Sequence, residues 1–324
     1  MIEAVTAVLD QVRPPLLWGF GGVLVVLLLA SALVLVLPAI KPAGDWRELR
    51  LRVWSWWAMI ALLAGALALG WIAVTLLFAG IAFIALREFL SLAPLRREDR
   101  LIVLFAYLTV PLSFGLVALG WYGVYLVAIP VWFFLATPFL MAIGGQTRAY
   151  LATVATITWA VIVCVYNLGV IPLLMRAPDE GGTAGAAGAA GMVFLLLLAT
   201  EANDVLQYVC GKLFGRRKII PAISPNKTWE GFIGGWILTA ALIGVLTPVF
   251  TPMTGYPVLI LAALLPLAGF AGDVTMSAVK RDLGVKDTSR LIPGHGGLLD
   301  RIDSLTFTAP LYFHLMAYYA LDKY

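Results

Sequence analysis

Long runs of apolar residues, separated by short polar and charged segments, dominate this chain. The runs lie at about 16–38, 53–86, 101–118, 121–143, 150–175, 191–209, 231–250, 257–279 and 304–321. About 20 helical residues are needed to cross a hydrocarbon core of about 30 Å. The pattern therefore predicts an all-α polytopic membrane protein in which each run supplies at least one membrane-spanning helix.

The second run is too long for one upright helix. Residues 53–86 would extend about 51 Å as a helix, well beyond the hydrocarbon core. The run is therefore either one steeply tilted helix or a hairpin that turns near Gly70 and Trp71. Basic residues both precede and follow it, and the positive-inside rule favours placing both groups in the cytoplasm. Only a hairpin does so, and we therefore predict about ten transmembrane helices.

The positive-inside rule, applied to every loop in turn, extends this topology to the whole chain. With ten spans, 19 of the 22 Lys and Arg residues fall in cytoplasmic loops and both termini lie outside. We divide the chain into N-terminal transmembrane helices, 1–190, and a C-terminal catalytic transmembrane region, 191–324, with cytoplasmic loops at 210–230 and 281–303. We expect a multi-pass protein of the cell inner (plasma) membrane, because compact loops are typical of a bacterial protein.

Composition supports the same class and excludes others. The chain is 62% hydrophobic and 12% charged, with a mean hydropathy of +0.96, whereas soluble domains have about 45–50% apolar and about 25% charged residues. Its net charge of +4 is consistent with basic cytoplasmic loops, and two cysteines do not suggest a disulfide framework. A soluble enzyme, a nucleic-acid binder and a disulfide-stapled module are excluded.

The remaining polar residues concentrate in two C-terminal segments. Helical spacing places Asp204, Tyr208 and Lys212 on one face of the seventh span, and Asp273, Ser277, Lys280 and Arg281 on one face of the ninth. Asp300 and Asp303 share a face if a helix begins there. Ionisable groups at membrane depth usually face a functional interior, so we expect these faces to meet at the cytoplasmic end of the bundle.

These residue types suit transfer of a phosphate-containing group. Asp273, Asp300 and Asp303 offer the oxygen ligands that Mg²⁺ prefers. Nearby cations can neutralise phosphate charge, namely Lys227, Lys280, Arg281, Lys286 and Arg301. The turn at 293–297, Pro-Gly-His-Gly-Gly, leaves backbone N–H groups accessible to an anion. We predict a membrane-embedded nucleotidyltransferase.

Two motifs resemble those of the CDP-diacylglycerol synthases, or phosphatidate cytidylyltransferases. Residues 277–303 contain S-x-x-K-R, K-D, P-x-H-G-G and D-R-x-D with that family's spacing, and residues 224–231, SPNKTWEG, resemble its S-P-x-K-T-x-E-G element. The resemblance covers about 200–305. One departure is Gln207, where the commonest members have a small residue.

The resemblance implies a reaction of CTP with phosphatidic acid that gives CDP-diacylglycerol and pyrophosphate in phospholipid biosynthesis. It also implies a paired-cation site of Mg²⁺ with a second cation such as K⁺, and a homodimer. The expected metal ligands are Asp273, Asp300 and Asp303. The expected catalytic residues are Lys227, Lys280, Arg281, His295, Asp300 and Arg301. The expected substrate-binding residues are Asp204, Tyr208, Ser224, Asn226, Lys227, Ser277, Lys286, Gly296 and Gly297.

Other interpretations stay open. A CTP-dependent polyprenol kinase would share the nucleotide and the membrane, and a non-enzymatic carrier would be expected to have internal repeats and broken helices at the midplane. Asp300 and Arg301 could instead cap a helix. His295 either hydrogen-bonds within its turn or contacts pyrophosphate. Glu201 either tunes a metal or proton site or pairs with a neighbouring helix. No nucleic-acid partner is expected.

Overall fold

The computed structural model describes residues 13–40, 46–176 and 185–321, which are almost entirely helical. The helices are α1 Pro14–Ile40, α2 Arg47–Leu69, α3 Trp71–Leu92, α4 Arg100–Leu119, α5 Tyr122–Ile143, α6 Tyr150–Met175, α7 Gly188–Phe214, α8 Trp229–Phe250, α9 Tyr256–Asp282, α10 Leu299–Ile302 and α11 Leu305–Tyr319. A 3₁₀ turn, Arg97–Asp99, precedes α4, and π-helical segments interrupt α5 at Ala128–Phe133 and α6 at Ile162–Tyr166.

Within the described residues, nine helices, α1 to α9, are long and apolar enough to cross a membrane. The tenth apolar helix, α11, has 15 residues and is shorter than the predicted span. The protein is an all-α polytopic membrane protein, as the hydrophobic pattern predicts.

The long second run is a hairpin. α2 ends at Leu69 and α3 begins at Trp71, and the residue between them, Gly70, has a φ of 93° that side-chain-bearing residues rarely adopt. Arg52 near the start of α2 donates to the carbonyl of Gly294, at 3.0 Å, and Glu88 near the end of α3 accepts from the amide of Leu299, at 2.8 Å. Both ends therefore reach the same C-terminal loop, which confirms the hairpin.

The alternation of helix directions also follows the predicted parity. At one end of the bundle, Arg13 donates to the carbonyl of Gly185 at 3.0 Å, and the ring of Tyr319 lies 5.8 Å from that of Tyr256. We call the opposite end, which carries the segments 93–99, 144–149, 215–228 and 283–298, the site face. Two of the basic residues in the charge count, Lys41 and Lys323, lie outside the described residues.

The most enclosed span is α6, in which Cys164, Leu168 and Ile171 have no exposed surface. It packs against α3 and α11, and α11 packs against α9, which in turn contacts α8. By contrast, α1 exposes many apolar side chains, as expected of a helix against lipid. The C-terminal helices are thus fixed against a well-packed interior before they reach the site face.

A small antiparallel hairpin, not predicted from the sequence, lies on the site face. Its strands are β1 Lys218–Ile220 and β2 Ser224–Thr228. The hydroxyl of Thr228 accepts from the amide of Gly231 at 3.2 Å and so caps the start of α8. The predicted loop at 210–230 is therefore shorter and more ordered than expected, because α7 continues to Phe214 and the hairpin fills the rest.

Cysteine labelling in sealed vesicles tests the hairpin between α2 and α3. Ala222→Cys, in the β-hairpin turn, should react with an impermeant thiol reagent from one side. Leu69→Cys and Trp121→Cys should react from the other, because both positions are exposed at the opposite end of the bundle. Native Cys164 and Cys210 are buried and should give a low background. Failure of residue 69 to react from the same side as residue 121 would contradict the hairpin.

Candidate functional site

Two cavities open at the site face and share one wall. The smaller, about 480 Å³, is lined by Asp204, Gln207, Tyr208, Gly211, Lys212, Lys218, Asn226, Lys227, Thr228, Gly231, Phe232, Phe270 and Asp273. The larger, about 940 Å³, is lined by residues of α2, α7 and α9 and by the segment 286–303. Asp204, Tyr208 and Asp273 line both cavities. Most of the residues predicted to bind substrate or metal therefore line at least one of the two cavities, whereas Ser224, Ser277 and Gly297 line neither.

Asp300 and Asp303 converge on the ammonium group of Lys280. The Lys280 Nζ lies 2.8 Å from Asp300 Oδ1 and 3.8 Å from Asp303 Oδ2. A short helix, α10, begins at Leu299 as the spacing of the two aspartates predicts, so both carboxylates face α9. The side chain of Asp300 is 3% exposed. A cation already lies between two carboxylates at the base of the larger cavity.

A second cluster forms about two turns earlier on α9. Asp273 pairs with Lys227 of β2 and accepts from the hydroxyl of Ser277 at 3.2 Å. Across the junction, Asp204 on α7 accepts from the hydroxyl of Ser304 at 2.9 Å. Asp204 and Asp273 both line the two cavities, so the predicted polar faces of α7 and α9 do meet.

Asp300, in α10, and Asp303, directly after α10, differ in the direction in which their surroundings shift the carboxyl pKa. Burial and the neighbouring carboxylate of Asp273 raise the pKa of Asp303 to about 7. Burial also opposes ionisation of Asp300, but the Lys280 ammonium and the amides of Thr288 and Gly297 outweigh it and lower the pKa of Asp300. The site thus concentrates negative charge that a further cation would relieve.

The larger cavity also presents groups suited to an anion. The Nε of Arg301 is buried and has no hydrogen-bond partner among the described residues. Burial, followed by the charge of Arg301, lowers the pKa of His295, so its imidazole is neutral at pH 7. Because a buried donor without a partner is costly, Arg301 is well placed to bind a negatively charged ligand that enters this cavity.

Helix α2 holds the glycine-rich turn from the N-terminal side. The hydroxyl of Ser55 donates to the carbonyl of Pro293 at 2.8 Å, and Trp56 meets the ring of His295 edge-on, with the ring centroids 6.1 Å apart. Both contacts are additional to that of Arg52 described above. The turn is therefore shaped by side chains from α2 that the motif itself does not contain.

The expected metal ligands are paired with lysines in this structure. No three His, Cys, Asp or Glu side chains among the described residues form a group spaced to hold a metal ion. Lys227 pairs with Asp273, and Lys280 pairs with Asp300 and Asp303. The donor type nevertheless fits a hard cation, since Asp300 and Asp303 both face one positive charge. Binding of Mg²⁺ by these carboxylates would require the ammonium groups to move.

Some residues expected in the site lie beside it. The guanidinium of Arg281 donates to the carbonyls of Ile223 and Val285, at 3.3 and 3.2 Å, and lines neither cavity. Ser224 pairs with Ile220 in the hairpin. Gly297 contributes its amide to Asp300 Oδ2 at 3.0 Å. The expected catalytic role of Arg281 and the substrate-binding roles of Ser224 and Gly297 stay predictions, and their observed contacts are structural.

Other residues of the site were not predicted. Arg52 and Trp56 line the larger cavity, and Glu88 binds the loop behind it. The available signal for Glu88 was an acid just beyond the apolar run 53–86, next to Arg87. Gln207, the departure from the family pattern, donates to Asn203 Oδ1 at 3.0 Å. A side chain at Gly235 of α8 would overlap both the side chain and the backbone of Gln207, so α7 and α8 approach closely at this point.

Fold and site together describe a polytopic membrane protein with carboxylates and lysines paired at two joined cavities on one face. Comparison with known proteins gives its family: the profile of the cytidylyltransferase family matches residues 50–319. The chain belongs to that family and is a nucleotidyltransferase.

Individual relatives agree with this assignment. The chain is 36% identical over 272 residues to the uncharacterized protein YnbB of Escherichia coli (strain K12). This alignment covers 84% of the present chain and 88% of YnbB. It is 47% identical over 117 residues to the phosphatidate cytidylyltransferase of Mycobacterium leprae, and that alignment covers 35% of this chain and 36% of the relative. It is 42% identical over 128 residues to the phosphatidate cytidylyltransferase of Haemophilus influenzae, and that alignment covers 37% of this chain and 42% of the relative. The matches to these two enzymes cover less than half of either chain.

Thermal unfolding of a Lys280 variant tests whether the carboxylates accept a divalent cation. Lys280→Met leaves Asp300 and Asp303 without their shared ammonium group and should lower the Tm in EDTA, because removing one partner of a buried ion pair costs about 3–5 kcal/mol. Millimolar Mg²⁺ should restore much of the loss.

Arg281→Met provides the matched control, since it removes a neighbouring cation that lies outside both cavities. It should show no comparable recovery of Tm with Mg²⁺. An equal response of the two variants to Mg²⁺ would contradict a cation site at Asp300 and Asp303.

Proposed function

We propose that this protein is a phosphatidate cytidylyltransferase, which transfers CMP from CTP to phosphatidic acid and releases pyrophosphate. The family assignment supports a cytidine nucleotide, and the two relatives named phosphatidate cytidylyltransferase support the lipid acceptor. The family profile, residues 50–319, includes the three residues that line both cavities.

The observation that carries the proposal is the junction between the two cavities. A transfer between two anionic substrates needs room for both and positive groups that neutralise their charge where they meet. Asp204, Tyr208 and Asp273 form the wall that the two cavities share. Lys227 on one side of it and Lys280 on the other supply the positive charge. The junction lies at one end of the helical bundle, where a lipid headgroup can enter while its acyl chains stay among the helices.

The proposed step requires little proton transfer. A phosphate oxygen of phosphatidate attacks the α-phosphorus of CTP, a new phosphorus–oxygen bond forms, and the bond to the β-phosphate oxygen breaks, releasing pyrophosphate. A phosphate monoester has a second pKa of about 6, so the nucleophile is already ionised at neutral pH. The protein has to position the two phosphates and neutralise their charge, which are the dominant contributions in such transfers.

The chain's own residues have corresponding roles in the proposal. Lys227, Lys280 and Arg301 bind and orient phosphate oxygens, and Lys286 adds positive charge at the rim of the larger cavity. Asp273, Asp300 and Asp303 would hold Mg²⁺, which supplies charge neutralisation when bound. A second cation such as K⁺ belongs to the same proposal.

The proposed location is the inner membrane of a bacterium, with the site face toward the cytoplasm. The excess of basic residues predicted for this face supports that orientation under the positive-inside rule. CTP is a soluble nucleotide, and a cytoplasmic opening would admit it directly. A homodimer is part of the proposal and follows from the family resemblance.

Purified protein incubated with labelled CTP, Mg²⁺ and phosphatidate in detergent micelles should yield labelled CDP-diacylglycerol and pyrophosphate. A parallel reaction with a polyprenol in place of phosphatidate tests the alternative kinase. Formation of labelled CDP-diacylglycerol, with no phosphorylated polyprenol in the parallel reaction, supports the proposal. Phosphorylated polyprenol without CDP-diacylglycerol would overturn it.

Asparagine substitutions test the carboxylates in the same assay. Asp273→Asn and Asp300→Asn should each lower turnover by about 100-fold or more, because each removes a carboxylate proposed to hold Mg²⁺ and to orient a lysine, Lys227 or Lys280, and both proteins should remain folded. Asp282→Asn is the matched control, an exposed aspartate at the end of α9, and should retain wild-type turnover. Wild-type turnover by Asp273→Asn or Asp300→Asn would contradict these roles.

A further inference from the structure

Glu88 is a buried carboxylate that lies outside both cavities. It is near the end of α3, an otherwise apolar span, and is 7% exposed. Burying a carboxylate in such a place is expensive unless several donors satisfy it. Its position therefore calls for a role other than contact with substrate.

Four donors of one loop satisfy this carboxylate. Oε1 accepts from the hydroxyl of Ser289 at 2.6 Å and from the amide of Leu298 at 3.0 Å. Oε2 accepts from the hydroxyl of Thr288 at 3.2 Å and from the amide of Leu299 at 2.8 Å. One side chain of the N-terminal helices thus holds both ends of the segment 288–299.

The same segment positions Asp300. The amide of Thr288 donates to Asp300 Oδ2 at 2.8 Å, and the amide of Gly297 donates at 3.0 Å. The Thr288 hydroxyl lies 3.1 Å from the same oxygen, and it shares its single proton between Asp300 Oδ2 and Glu88 Oε2. A side chain on Gly297 would lie 2.1 Å from the Thr288 hydroxyl and 2.7 Å from Glu88 Oε2. Thr288 therefore bridges the two carboxylates, and the backbone at Gly297 passes close beside them.

We propose that Glu88 is a positioning residue, which fixes the segment 288–299 so that Asp300 faces Lys280 and the larger cavity; its catalytic consequence rests on the proposed function. Three other donors leave Asp300 Oδ2 fully engaged, so Oδ1 is directed at the ammonium group. Glu88 acts through Thr288 and the backbone, and it does not contact the reacting atoms.

Each oxygen of Glu88 accepts from one backbone amide, which can only donate, and from one hydroxyl. A carboxylate accepts at both oxygens. A glutamine of the same shape would turn its NH2 group toward the amide of Leu298 or of Leu299, whichever way its side chain is placed. Residues that hydrogen-bond to a metal ligand typically contribute about 10- to 100-fold in metal affinity or activity. The substitution should therefore weaken the positioning of Asp300 and lower Mg²⁺ affinity and activity.

Glu88→Gln in the full-length protein is the central experiment, with two independent measurements. Turnover of CTP and phosphatidate should fall about 10- to 100-fold, and the Mg²⁺ concentration for half-maximal rate should rise about tenfold. Hydrogen exchange of the peptide that contains Leu298 and Leu299 should accelerate about tenfold, because one of the two amides loses its acceptor. Ser289→Ala removes one of the four contacts and should shift each quantity less, in the same direction.

Asp99→Asn is the matched control. Asp99 is also a fully buried carboxylate near the site face, but its side chain accepts from the backbone and guanidinium of Arg96. This variant should lower the Tm and accelerate exchange around 96–99, while the Mg²⁺ dependence and the exchange of 288–299 stay within about twofold of wild type. A purely structural role for Glu88 predicts that Glu88→Gln lowers the Tm and accelerates exchange of 288–299 while the Mg²⁺ dependence stays within about twofold of wild type.

The outcomes separate the two proposals. If wild-type protein makes no CDP-diacylglycerol, the proposed function fails, and hydrogen exchange of 288–299 together with Mg²⁺-dependent Tm still decides the role of Glu88. If wild type is active and Glu88→Gln keeps its turnover and Mg²⁺ dependence within about twofold, the positioning role is overturned. Lost turnover with unchanged exchange in 288–299 would overturn it as well.

Discussion

The need to compensate buried carboxylates governs the organisation of the site face. In an apolar bundle an ionised group without partners is costly, and the acids grouped here are each matched by donors. Asp300 is bound by Lys280 and three further donors, and Asp273 by Lys227 and Ser277. The donors lie on α9, on the β-hairpin and on the loop before α10, so satisfying the acids also fixes these elements to one another.

This requirement joins sequence-distant parts of the chain. Glu88 bonds a hydroxyl 200 residues further on, and Ser55 bonds a carbonyl 238 residues away. The loop that carries the glycine-rich turn thus lies between α2, α3 and α10, with few degrees of freedom of its own. Such anchoring is what a transfer reaction dominated by positioning requires.

The sequence was informative where a simple physical rule links spacing to geometry. Charge parity predicted the turn at Gly70, because both basic groups had to reach one face, and helical spacing placed Asp300 and Asp303 together. It was uninformative where contacts depend on tertiary packing. The partner of Glu88 lies in a distant loop, and nothing local indicates that Arg281 turns toward Ile223 and away from the cavity. The β-hairpin was missed for the same reason, since a short strand in a polar loop has no periodic signal.

Charge balance also relates the present arrangement to the proposed reaction. Lys227 and Lys280 now neutralise the carboxylates, and both ammonium groups lie on cavity walls or at the junction. Incoming phosphates would compete for these ammonium groups, and each shift of a lysine toward a phosphate would leave a carboxylate open to a cation. Binding of the anionic substrates and binding of a divalent cation would then favour each other. A site of this kind can hold strongly charged substrates at a membrane face without leaving a buried charge uncompensated at any stage.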